Sequence, residues 1–261
     1  MTSSDYSADE DNILDYLEKG GKLSAPDNAP PRYRAELMRI MASFIDSELA
    51  GAAGFADLIN DGPGIKERIT AARIVSEKLD HAERVLQVMG EFGADTARYS
   101  NVHPWAERGP READYGAARQ PGDMRLNVFR YPLQGWADAV VMNMLMGRAT
   151  VIQLRELAKC SYQPLAETFE EILPRERRHG ELGDEGAARL LDYGDAVLSE
   201  VNASIDYWRP RVAASFGGAE SRRFELLHRF GLRHQANADL LRRWEEDIDG
   251  LRSRFTYNRM Q

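Results

Sequence analysis

Apolar residues recur every three or four positions over long stretches of the chain, and clusters of Pro, Gly and Asp interrupt them. That spacing predicts amphipathic helices. The first covers about 32–59, where Leu37, Ile40, Met41, Phe44 and Ile45 form a stripe and Glu48 continues the same face one turn on. After the turn NDGPG at 60–64, a second helix over about 65–92 is apolar on two sides. One side carries Ile69, Ala72, Leu79, Leu86 and Met89, the other Ile74, Lys78, His81, Val85 and Val88, which is the pattern of a helix central to a bundle. Residues 95–133 have no period and much Pro, Gly and Arg; the expectation is a surface excursion between helix pairs, with a ligand-covering lid as the alternative. His103, in this stretch, is given no role.

A third helix over about 136–158 places Asp138 on one face with Val141, Met142 and Leu145. The fourth opens near Pro164, a residue suited to a first turn, and Pro174 is expected to kink it. A further helix is expected over 187–208 beyond Gly183, then a break, then one or two helices over 224–248. Helix pairs joined by a long crossover predict an all-α, ferritin-like four-helix bundle with additional C-terminal helices. The expected organisation is an acidic, flexible arm at 1–31 ending in an extended lead-in, one helical domain at 32–248, and an exposed tail at 249–261.

Charge and cysteine usage narrow the function classes. A formal net charge of −8 argues against nucleic acid as a partner, because phosphate binding needs a basic surface. One cysteine, Cys160, excludes an internal disulfide framework and fits a reducing compartment. No run approaches the roughly 18 consecutive apolar residues of a membrane span, and the N-terminus has no signal-type apolar core. The expectation is a soluble, cytoplasmic protein without membrane partners.

The candidate chemistry lies on the apolar stripes. Glu176 and His179 stand three residues apart in line with Phe169, Ile172 and Leu173, where ordinary surface charge does not belong. With Glu48, His81 and Asp138 they make five inward groups on four helices. A di-iron carboxylate bundle uses one acid from each of two helices and a Glu-x-x-His from each of the others. The sixth position is Lys78, a candidate functional residue where an acid should stand. An ammonium repels cations and offers no lone pair unless deprotonated. Lys78 could instead pair with Glu48, Asp138 or Glu176, and Glu77 is an imperfect substitute ligand. Met142, Met144 and Met146 read as core packing, Arg177 and Arg178 as a solvated face, and His228 and His234 as structural.

These motifs resemble the phenylacetic acid catabolic protein family. The resemblance is carried by PPRYRAELMRIMASFIDSELAGA around Glu48, Asp80–His81, YPLQGWADAVV around Asp138, and CSYQPLAETFEEILPRERRH ending at His179. The late YWRP and HRFGLRHQANADLLRRW segments extend it over roughly 30–245. The closer likeness is to catalytic alpha subunits of phenylacetyl-CoA epoxidases. It implies a di-iron centre that activates O2, epoxidation of an aromatic ring held as a coenzyme A thioester, a separate reductase and a homologous structural subunit; a homo-oligomer stays open. It also implies that Glu48, His81, Asp138, Glu176 and His179 are the metal positions, that Lys78 replaces a ligand Glu, and that Ile74 stands where the family has a lysine. Three readings follow: an acyl-CoA epoxidase, a non-catalytic homologue with a Lys78 salt bridge, and a one-metal enzyme. Lys78 separates them.

Overall fold

The computed structural model describes residues 12–102, 104–119, 122–221 and 223–257. Residues 1–11 of the expected arm, His103 and residues 258–261 of the expected tail lie outside the described residues. After a helical stretch over 12–18 (α1), the long helices are α2 (Pro31–Asp57), α3 (Ile65–Glu91), α5 (Gly135–Leu157) and α6 (Gln163–Leu191). A short α4 (Thr96–Val102) follows α3, and α7 (Asp195–Ala213), α8 (Phe224–Arg229) and α9 (Asn237–Tyr257) complete an all-α architecture of the ferritin-like kind. The α2–α3 and α5–α6 hairpins meet through α3 and α6, and α7 packs on α5.

Apolar clusters lie above and below a polar level in this bundle. On α2 the core passes from Ile45 to Phe55 with Glu48 between, and on α3 from Ile74 to Val85 with Lys78 and His81 between. On α6, Phe169 and Ile172 precede Glu176 and His179. A second large cluster joins α5, α7 and α9 around the fully buried Trp208 and Trp244.

Four expectations change. The α6 helix runs unbroken past Pro174 and Gly183 to Leu191. Its glycines are contact points with α5: a Cβ on Gly183 would lie 2.6 Å from Met144 N, and one on Gly147 would lie 2.7 Å from Gly180 Cα. Ile69 and Leu79 are exposed, so α3 buries one face, not two. Part of the 1–31 stretch docks on the body, with Leu17 and Leu23 buried, Leu23 N–H donating to Ser161 O (2.7 Å) and Leu23 O accepting from Gln163 N–H (2.8 Å). The aperiodic 95–133 segment is folded inward around Arg125, whose buried guanidinium pairs with Asp123 at 2.8 Å and donates to the carbonyls of Pro104, Trp105 and Glu107. Asp46 and Ser47 of α2 hold its end by accepting from Met124 N–H (2.8 Å) and Leu126 N–H (2.9 Å).

Candidate functional site

Helical spacing brings Glu48, Lys78, His81, Glu176 and His179 together, all buried. Lys78 lies three residues before His81 and Glu176 three before His179, so each pair points the same way from one turn. Glu48 faces both from α2. Lys78 Nζ donates to Glu48 Oε1 at 3.1 Å and to Glu176 Oε1 and Oε2 at 3.2 and 3.4 Å. His81 Nδ1 lies 3.3 Å from Glu48 Oε2 and 2.9 Å from Glu176 Oε1. His179 bridges outward: Nδ1 is 3.2 Å from Glu176 Oε1 and Nε2 is 2.7 Å from Glu77 Oε2.

The charge states follow from competition between burial and pairing. Burial alone would push the Lys78 ammonium down, but Glu176 and Glu48 outweigh it and hold Lys78 above its ordinary value. Burial works to raise the Glu176 carboxyl, and Lys78 with the two histidines holds it well below the usual carboxylate range. For His81 burial acts downward, yet hydrogen bonds to Glu176 and Glu48 raise it to about 9. At neutral pH Lys78 is therefore a cation with no lone pair to give a metal.

Asp138 is placed elsewhere. Arg111 grips both of its oxygens at 2.9 Å, and Gln134 N–H (2.9 Å), Ser204 Oγ (2.9 Å) and Trp208 Nε1 (2.8 Å) also donate to it. Burial opposes ionisation here, but Arg111 and the other donors hold the carboxyl below its usual range. Arg111 is fixed in turn against the Tyr207 ring, 3.6 Å from its centroid. Sequence reasoning missed this clamp, because Arg111 belongs to the aperiodic segment and carried no spacing signal.

The donor set can be weighed against a metal directly. Ligand atoms of Glu48, His81 and Glu176 all lie within 4.8 Å of one another, a grouping that could hold one metal ion. Two ions do not fit: Lys78 Nζ occupies the space between the carboxylates, and the Asp138 oxygens are committed to Arg111. His81 Nε2 is buried without a hydrogen-bond partner.

A cavity of about 600 Å³ reaches this level from the side of α2. Glu48, Phe44, Phe129 and Met146 line its apolar wall, and Arg39, Arg119, Arg223 and Arg233 also line it. Burial pulls the Arg119 guanidinium down to about 10, with the charge of Arg130 adding to the effect, so Arg119 is an under-neutralised cation facing the cavity. Arg119 was not singled out from the sequence either.

A family model described as phenylacetic acid catabolic protein matches residues 7–257. The chain belongs to this family. Among curated relatives of this phenylacetic acid catabolic protein, one of the subunits of the 1,2-phenylacetyl-CoA epoxidase of Escherichia coli (strain K12) is 22% identical over 191 residues, 73% of this chain and 57% of that protein. Benzoyl-CoA oxygenase component B of Aromatoleum evansii is 24% identical over 177 residues, 66% of this chain and 35% of that protein. The chain thus spans little more than half of the first relative and about a third of the second. Both names place the family member among oxygenase components. Among its described residues no helix is long and apolar enough to cross a membrane.

Proposed function

We propose that this family member is an aromatic acyl-CoA-binding subunit of a ring-oxygenase system. The observation that supports the reading most is the cavity of about 600 Å³, which combines an apolar wall ending at Glu48 with four arginines. An aryl group buried against Phe44, Phe129 and Met146 loses water contact, and the phosphates of a CoA moiety meet guanidiniums suited to bidentate pairing. The relatives are by name parts of larger assemblies, and the proposal includes further chains here: a separate reductase and a homologous subunit.

Isothermal titration of the full chain with phenylacetyl-CoA, benzoyl-CoA, free CoA and phenylacetate tests it. The expected result is saturable binding of the thioesters, weaker binding of CoA, none of phenylacetate, and a loss of about 10-fold or more in Arg119→Ala. Absence of thioester binding, or thioester binding unaffected by Arg119→Ala and Phe129→Ala together, would overturn it.

A second reading is the epoxidase catalytic subunit with iron at Glu48, His81 and Glu176, joined by Asp138 and His179. The grouping of the first three donors favours it. As arranged, the residues leave no place for a pair of ions while Lys78 is charged and between them, so no reaction step is drawn through such a centre.

A further inference from the structure

The disagreement between this donor set and a metal pair points to a built-in replacement. We infer that Lys78 is the resident cation of the site, holding Glu48 and Glu176 together without metal, and that it masks a single-metal site formed by Glu48, His81 and Glu176. The acyl-CoA reading is not needed for this inference, because metal uptake is measured on the chain without a thioester.

Three observations carry it. Lys78 Nζ is within 3.4 Å of three carboxylate oxygens from two helices, so an ammonium stands where a bridging ion would. The fold makes room for its stem: residue 51, one turn after Glu48, is a glycine, and a Cβ there would lie 3.5 Å from Lys78 Cδ and 3.2 Å from the Phe129 ring. The donors behind Lys78 are already convergent, with the imidazole and both carboxylates inside 4.8 Å and buried. Removing the ammonium leaves two carboxylates and one imidazole facing each other, a set that a divalent cation neutralises. His179 is held by Glu176 on one nitrogen and Glu77 on the other, so the altered centre is closed by internal pairs.

The test uses the full chain, untagged and stripped with chelator, as wild type, Lys78→Met and Lys78→Gln. Each is titrated with Co(II), followed by visible d–d absorption, and anaerobically with Fe(II), followed by metal analysis after gel filtration. The expected result is no stoichiometric metal on wild type and one equivalent on the variants, with affinity at least about 100-fold higher, as removal of an adjacent unit charge implies. Adding Glu176→Gln to either variant should abolish uptake. Lys78→Gln decides the matter if Lys78→Met does not fold. Stoichiometric metal on wild type, no metal on a folded variant, or uptake that survives Glu176→Gln would each overturn the inference.

Discussion

The ammonium of Lys78 lies 3.1 Å from Glu48 Oε1, and both residues come from the bundle interior, where neither charge would survive alone. Breaking a buried pair by removing one partner typically costs about 3–5 kcal/mol, because the other charge is left uncompensated. Lys78→Met should therefore lose stability of that order in chelator, measured by urea unfolding, and recover part of it when Co(II) is added. A variant as stable as wild type in chelator would show that Glu48 and Glu176 need no cation.

The pH dependence of stability carries the signature of the same centre. His81 is raised to about 9 in the folded chain, so its contribution is complete below the unfolded histidine value near 6.5 and lost as pH rises through about 9. It amounts to up to about 3 kcal/mol. Glu176 is depressed, so its contribution is present above the unfolded glutamate value near 4.3 and lost as pH falls below it. Thermal unfolding from pH 4 to 10 should show greatest stability between these limits, and His81→Gln should flatten the alkaline fall. An alkaline limb identical in that variant would remove His81 from the account.

Asp138 belongs to a different network, and this has a measurable consequence. Asp138→Asn should cost on the order of 3 kcal/mol, since it leaves the Arg111 guanidinium, 15% exposed, without its counter-charge. Combined with Lys78→Met it should leave Co(II) uptake unchanged. Loss of uptake in a folded double variant would place Asp138 in the metal group after all.

The α5–α6 contact depends on glycine. In Gly183→Ala the new methyl would meet Met144 N and Cα at 2.6 and 2.7 Å, backbone atoms that cannot turn aside. Alanine favours the helix by up to about 1 kcal/mol, while overpacking of this kind costs about 1–3 kcal/mol, so a net loss is expected in chemical denaturation. A stabilised variant would mean the two helices separate at no cost.

Much of this was legible in the sequence, and particular residues show where legibility ended. Periodicity located the long helices to within a few residues and put Glu48, Lys78, His81 and Glu176 on inward faces, because a charge inside an apolar stripe is a strong local signal. It could not aim Asp138. The α5 helix is buried nearly all round, with Val140, Val141, Met142, Met144, Leu145 and Met146 all inside, so its pattern does not say which neighbour each face meets. Gly183 signals a possible helix end locally, but packing against Met144 keeps the helix going. Arg111, Arg119 and Arg125 lie in a segment without period, and their buried roles come from tertiary contacts that no spacing reveals.

The most direct measurement of the central claim is anomalous diffraction at the cobalt edge from crystals of wild type and Lys78→Met soaked in Co(II). The expected result is no peak at the wild-type centre, with Lys78 Nζ between Glu48 and Glu176, and one peak among Glu48, His81 and Glu176 in the variant. A peak at that position in wild type, with Lys78 swung out of the site, would contradict the account.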